Sequence, residues 1–280
     1  MSESDQVLDL ARSVFADRFE LARAYVDLLS DEGIAWGLIG PREADRLWER
    51  HVLNSVCLTP VITDNSVVAD IGSGAGLPGI PLAIARPDLH IDLVEPMQRR
   101  IDFLTLCVER LGLSDRVSVV RSRVEEYRGR PDVVTCRALA PVGRLVEWVT
   151  RTGVEGTGSG SVDSRQATGQ SPTGSPKRRS RKSHGLSGGV SGMNARRGEP
   201  ARSGVFADRG ANVLRPGPSG GSAALVPPGV LLAIKGARAG VEVEEAASAL
   251  QAHRLSAEIL RPIVAGQELG TVVRVAAQSV

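Results

Sequence analysis

A short apolar run, Val67-Val68-Ala69-Asp70-Ile71, passes directly into Gly72-Ser73-Gly74-Ala75-Gly76-Leu77-Pro78-Gly79 and then into an amphipathic stretch. This succession of buried strand, glycine turn and helix start admits few folds, because the turn must be tight and must leave backbone N–H groups free at a helix N-terminus. The sequence beyond it repeats the theme. Apolar runs at 67–71, 91–95, 117–121, 133–137, 230–235, 257–263 and 271–276 predict strands, and 78–85, 98–111, 142–151 and 241–254 predict helices. Such alternation is the mark of βαβ units and of a mostly parallel, here seven-stranded, sheet in an α/β fold. The last two strands have no helix between them, which predicts a C-terminal antiparallel hairpin at one edge of the sheet.

Ahead of the first strand, Val7, Leu10, Val14, Leu21, Tyr25 and Leu28 recur at helical spacing, which predicts one helix from Asp5 to about Ser30. Gly40-Pro41 closes that segment and opens a second helical stretch from Arg42 to Leu58. Residues 1–62 therefore read as an N-terminal helical cap, and residues 63–150 with 229–280 as the α/β domain. Between those two parts, residues 151–228 hold 16 Gly, 12 Ser and 7 Pro, too few apolar groups to offset chain entropy. They are read as a disordered basic insertion into a loop, a kind of change whose closure entropy grows only slowly with length.

Charge follows the same division. The insertion carries 12 Lys/Arg against 4 Asp/Glu, while the remainder carries 22 against 28. Cys57, Cys107 and Cys136 are odd in number and far apart, which predicts a reducing cytoplasm and neither a disulfide framework nor a zinc site. No run approaches a membrane span, and the acidic start Met1-Ser2-Glu3-Ser4-Asp5 is unlike a signal peptide. Neither secretion nor membrane insertion is expected.

The glycine loop offers positive-φ backbone and free N–H groups to a ligand with an anionic part, and Glu95, at the end of the second strand, stands where a carboxylate can accept ribose hydroxyls. Gly74-x-Gly76-x-x-Gly79 satisfies a dinucleotide pattern formally, so an NAD-binding oxidoreductase is one reading. Asp70, two residues before Gly72, favours another: a carboxylate there suits a ligand with an ammonium and a sulfonium and repels a pyrophosphate, as in S-adenosylmethionine-dependent methyltransferases.

Asp70 through Leu82, Ser122-Arg123-Val124-Glu125-Glu126, Arg137-Ala138-Leu139-Ala140 and Ala233-Ile234-Lys235-Gly236, with Glu49-Arg50-His51-Val52-Leu53-Asn54-Ser55 in the cap, together resemble the small-subunit ribosomal RNA methyltransferase G family, also called glucose-inhibited division protein B. The likeness covers nearly all of the chain outside residues 151–228. It implies a Rossmann-like class I S-adenosylmethionine-dependent fold and N7-methylation of one guanine in 16S rRNA near the decoding site. It also implies 16S rRNA or the small ribosomal subunit as partner; a monomer is expected, and the isolated histidines and cysteines predict no metal site. The cofactor positions it carries over are Gly72, Leu77, Val124, Glu125 and Arg137, with Val124-Glu125 at the adenine; Asp70, Gly74 and Glu95 join them from the loop argument. The long insertion departs from the family. So does the segment Leu269-Gly270-Thr271-Val272, where the family commonly has Arg-His before its apolar run.

Guanine N7 carries an in-plane lone pair, so methyl transfer needs no general base, and no catalytic acid/base pair is expected. Arg137 ends the fourth strand and reads as a contact to cofactor or RNA. Lys235 ends the fifth, where it either meets RNA phosphate or is solvated. Cys136 follows Thr135 as in cytosine-5 methyltransferases, but inside an apolar strand it reads as core. No Asn/Asp-Pro-Pro-Tyr follows the fourth strand, which argues against methylation of an exocyclic amine. His51 either touches RNA or packs on the sheet, and His90, His184 and His253 are isolated. The run Lys177-Arg178-Arg179-Ser180-Arg181-Lys182 would bind phosphate nonspecifically or serve only as a solubilising segment. A non-catalytic RNA-binding protein with a residual cofactor pocket is the remaining rival.

Overall fold

The computed structural model describes residues 3–137, 139–151 and 229–278. The reading of residues 151–228 as a disordered insertion, and any role for their basic run, lies outside the described residues apart from Arg151, the last residue of a helix. The seven predicted strands are all present: β1 (Val67–Ile71), β2 (His90–Glu95), β3 (Val117–Arg121), β4 (Val133–Arg137), β5 (Val230–Lys235), β6 (Leu255–Leu260) and β7 (Thr271–Ala277). They form one sheet in the order β3-β2-β1-β4-β5-β7-β6. β1 pairs in parallel with β2 (Val68 opposite Ile91) and with β4 (Val68 opposite Val133), so the chain crosses over beside β1. That reversal of strand order opens a crevice at the carboxyl ends, the place where doubly wound sheets bind ligands.

The antiparallel pair at the end of the chain forms as expected, Ile259 opposite Val273, but β7 slots between β5 and β6, so β6 is the edge. The strand predicted to continue to Ile263 stops at Leu260. Arg261-Pro262 follows, and proline can neither donate to a ladder nor leave its predecessor free. Ile263–Val264 then pairs with Gln267–Glu268 in a separate two-residue ladder.

Helices α3 (Gly79–Ala85), α4 (Gln98–Arg110) and α5 (Val142–Arg151) fall where the pattern places them. The helix predicted over 241–254 is two, α6 (Ala239–Glu245) and α7 (Ala247–Ala252), divided at Ala246. The cap is likewise broken. α1 (Glu3–Phe15) and α2 (Phe19–Leu28) are joined by a 3-10 turn at Ala16–Arg18, with Ala16 at φ +47°. That kink lets both flanking phenylalanines reach one partner: Phe19 stacks on Trp48 at 5.6 Å and Phe15 meets it edge-on at 6.3 Å. Pro41–Arg46 and Val56–Val61 are 3-10 turns flanking a wider helical segment, Leu47–Leu53.

Alternation along each strand divides the core. Val68, Ile91, Leu93, Leu232 and Val272 face the cap (Phe15, Tyr25, Leu29, Leu47, Leu58) together with α3 and α4. Ala69, Ile71, Val134, Cys136, Val273 and Val275 face α5, α6 and α7 through Val142, Val146, Ala239 and Leu250. The cap is thus continuous with one hydrophobic layer of the sheet, and burial of its apolar stripe is what holds it there.

Candidate active site

The glycine loop is built around Asp70. This carboxylate is fully buried, and its Oδ2 accepts the N–H of Gly79 at 3.0 Å, closing the loop onto the first turn of α3. A Cβ at Gly79 would lie 2.3 Å from Leu93 Cδ2 and 2.8 Å from Asp70 Oδ2, so only glycine fits there. Asp70 Oδ1 has no hydrogen-bond partner among the described residues. Burial, against the opposing pull of the Gly79 N–H, of Ser73 and of Arg137, lifts the carboxyl to about 7.

Gly72, Gly74 and Gly76 all take left-handed backbone, at φ +71°, +60° and +95°. Gly72 donates to Val94 O at 2.8 Å and Gly74 donates to Glu95 Oε2 at 3.1 Å. Glu95, 1% exposed, also accepts the Met97 N–H through Oε1 at 3.1 Å and meets Arg100 at 3.4 Å. The carboxylate read as a ribose acceptor therefore also ties the glycine loop to the end of β2. Leu77 is buried, its N–H bonded to Ser73 O at 3.0 Å.

Val124 and Glu125 lie in a 3-10 turn just beyond β3, brought beside Glu95 by the Ser122 N–H bond to Glu95 O at 3.3 Å. Val124 is half-buried and Glu125 exposed. Tyr127 fixes the turn from below by donating to Asp92 Oδ2 at 2.6 Å. Arg137, at the end of β4, donates to Arg50 O at 3.1 Å and to His51 Nδ1 at 2.9 Å. All eight sequence-predicted residues thus stand at or within a few residues of the carboxyl ends of four adjacent strands.

One reading changes, and two residues gain partners that the sequence did not give them. Lys235 is neither solvated nor presented to phosphate. Its side chain is 5% exposed, paired with Glu242 at 2.8 Å and bonded to Ala140 O. It braces the turn after β4, a role hidden in sequence because Glu242 belongs to the following helix. His51, undecided from sequence, joins Arg137 to Glu43, its Nε2 3.1 Å from Glu43 Oε2. Tyr25, read only as part of a helical apolar stripe, is fully buried and donates to Ala75 O at 2.7 Å, carrying the cap onto the glycine loop. Leu139 was also missed: a Cβ on Gly72 would meet its Cδ1 at 2.7 Å. Cys136 is 1% exposed and burial pushes its thiol up to about 12, the behaviour of a core residue.

Among the described residues no cluster of metal-ligating side chains occurs, and no helix is long and apolar enough to cross a membrane. The strand order, the single antiparallel β7 and the Asp70–glycine loop define a Rossmann-like fold of the S-adenosylmethionine-dependent methyltransferase class. The family model described as rRNA small subunit methyltransferase G matches residues 18–158, just over half of the chain. The chain belongs to that family. It is similar to the ribosomal RNA small subunit methyltransferase G of Streptomyces coelicolor, 53% identical over 52% of this chain and 62% of the relative. It is similar also to that of a Nocardioides species, 50% identical over 61% of this chain and 70% of the relative. Its match spans 59–62% of the length of the Streptomyces and Mycolicibacterium smegmatis relatives. Among solved structures, a SAM dependent methyltransferase from Aquifex aeolicus aligns at TM-score 0.42 with 12% identity, over 83% of this chain and 92% of its own.

Proposed function

We propose that this protein transfers the methyl group of S-adenosylmethionine to N7 of one guanine in 16S rRNA, near the decoding site. The observation that carries the donor assignment is the fully buried Asp70, whose Oδ1 has no partner and whose carboxyl sits near 7 beside a left-handed glycine loop. A cationic ammonium is the ligand group that satisfies that oxygen and restores the ionised form; a pyrophosphate would do the opposite. Bound there, the donor would supply an electrophilic sulfonium methyl.

The chain's own residues would do the binding and aiming. Gly72, Gly74 and Leu77 would present backbone to the donor, and a Cβ on Gly74 would clash with nothing in the protein, its nearest neighbour being Gly72 O in ordinary contact at 3.8 Å. Glu95 would accept ribose hydroxyls through the lone pairs that Gly74, Met97 and Arg100 leave free. Val124-Glu125 would read the adenine edge, and Arg137 would face the donor at the end of β4. The acceptor nitrogen brings its own lone pair, so orientation supplies most of the rate enhancement and no side chain has to take a proton. The substrate follows from the family's description, the small-subunit rRNA, and the N7 atom from the sequence likeness.

This reading carries with it a cytoplasmic site of action, a monomer, a cap of residues 1–62 and an α/β domain of residues 63–150 and 229–280. Calorimetric titration of the full chain with S-adenosylmethionine and with NAD tests it. Saturable binding of the first and none of the second is expected; the reverse overturns the assignment.

A further inference from the structure

The cap reaches the carboxyl edge of the sheet through His51, a side chain to which the proposed reaction gives no role. A guanidinium only donates, so the 2.9 Å contact from Arg137 Nη2 makes His51 Nδ1 an acceptor. The ring proton is then on Nε2, where Glu43 Oε2 accepts it at 3.1 Å. Arg137 Nη1 donates to Arg50 O at 3.1 Å, and Arg50 Nη1 holds Glu43 at 3.0 and 3.1 Å. Among the described residues no carboxylate hydrogen-bonds to Arg137. Cap backbone and one imidazole aim it.

The groups facing this imidazole are Arg137 from β4, and Glu43 and Arg50 from the cap; Tyr25 and Asp70 act on Arg137 from its other neighbours. Burial, then Arg137, holds the ring below the ordinary histidine value of 6.5, with Glu43 pulling the other way. A folded value below the unfolded one means that the neutral arrangement is intact above about 6.5 and is lost as pH falls. Tyr25, pushed well above its ordinary value by burial, keeps its bond to Ala75 throughout that range.

We propose that His51 is a positioning residue: as a neutral imidazole it fixes Arg137 at the mouth of the donor site, and its protonation releases the guanidinium and weakens donor binding. An imidazolium has no lone pair at Nδ1 and sets a like charge against the guanidinium, so both effects push Arg137 away. The inference rests on the proposed function, in which Arg137 faces the donor.

The test is titration of the full chain with S-adenosylmethionine from about pH 8 to about pH 5.5, with thermal melts and ring-nitrogen NMR of the ligand-free protein. Wild type is expected to bind more weakly at the acid end than Asp70 protonation alone explains, the added loss rising toward, and not beyond, the roughly 10-fold that one charge-assisted hydrogen bond is worth. His51→Leu is expected to show that loss already at pH 8 and to keep only the shallower slope that protonation of Asp70, near 7, gives to donor binding. His51→Asn, whose amide oxygen can accept in place of Nδ1, recovers much of the affinity and shows the same shallower slope as His51→Leu. NMR is expected to find Nδ1 unprotonated at pH 8, the His51 signal assigned by its absence in the Asn variant. An Nδ1–H tautomer overturns the proposal. So does a His51→Leu protein that melts lower yet keeps the wild-type Kd and pH slope, the signature of a purely structural role. If wild type binds no S-adenosylmethionine, the proposed function fails and the donor-site half of the inference with it, while the tautomer result still decides the His51–Arg137 bond.

Discussion

Gly74→Ala separates ligand binding from folding. Gly74 sits at φ +60° and an added Cβ meets nothing nearer than Gly72 O at 3.8 Å, so the free protein bears only left-handed backbone strain. That strain is about 1–2 kcal/mol for an L residue, which for a domain of this size lowers Tm by roughly 2–8 °C. Gly76 provides the contrast. It has φ +95°, and a Cβ there would lie 2.4 Å from Ile80 Cδ1 and 3.1 Å from the Tyr25 hydroxyl. Overpacking adds about 1–3 kcal/mol to the strain, so Gly76→Ala melts lower than Gly74→Ala. In donor binding the order reverses, because the new methyl on Gly74 occupies space that ligand would fill. An overlap of about 1–3 kcal/mol corresponds to roughly a 5- to 150-fold rise in Kd. Differential scanning calorimetry and isothermal titration on both variants check the pair. A folded Gly74→Ala protein with unchanged Kd, or one that melts below Gly76→Ala, refutes the reasoning.

Three further substitutions probe other parts of the account. Lys235→Ala strips the partner from Glu242 and Ala140 O inside a nearly closed site, and should destabilise by about 3 kcal/mol, read by urea unfolding; a loss below about 0.5 kcal/mol would mean the pair is solvated after all. Burial lifts Asp70 from 3.8 to about 7, so its contribution to stability is fully present below 3.8 and lost as pH rises through about 7. Asp70→Asn abolishes that slope, and Tm of the ligand-free variant relative to wild type should climb across that window; a constant difference would contradict the assignment. Cys136→Ser places a hydroxyl in an apolar strand and should cost about 1–2 kcal/mol while methyl transfer stays within a few-fold, whereas loss of transfer by orders of magnitude in a folded variant would point to a thiol nucleophile.

What the sequence revealed and what it hid divide along the range of the interactions involved. β1, β4 and β5 begin and end where their apolar runs do, because a parallel strand buried on both faces is itself a nearly continuous apolar run; β3, at the edge of the sheet and only partly buried, keeps its predicted bounds as well. The glycine loop was legible for the same local reason: each left-handed position demands glycine wherever the rest of the chain goes. The break at Ala16 was not, since Trp48, thirty-odd residues away, sets it. Nor was the insertion of β7 between β5 and β6, because pattern alone gives strands and not their order. Tyr25 and Ala75 are 50 positions apart, and Arg137 and His51 are 86 apart. Each looked like an ordinary member of its own element until the fold brought the partner to it. Lys235 misled for the converse reason: a lysine at a strand end is usually solvated, and only the packing of α6 supplies Glu242.

The proposed reaction falls on one atom of one base. The direct measurement is nucleoside mass spectrometry of small subunits lacking the modification, after incubation with the purified full chain and isotopically labelled S-adenosylmethionine, with fragment mapping of the 16S rRNA. One labelled N7-methylguanosine per rRNA is expected, in a fragment near the decoding site. Label on an exocyclic amine, on cytosine C5 or on many guanines, or no label from a protein that binds the donor, would contradict it.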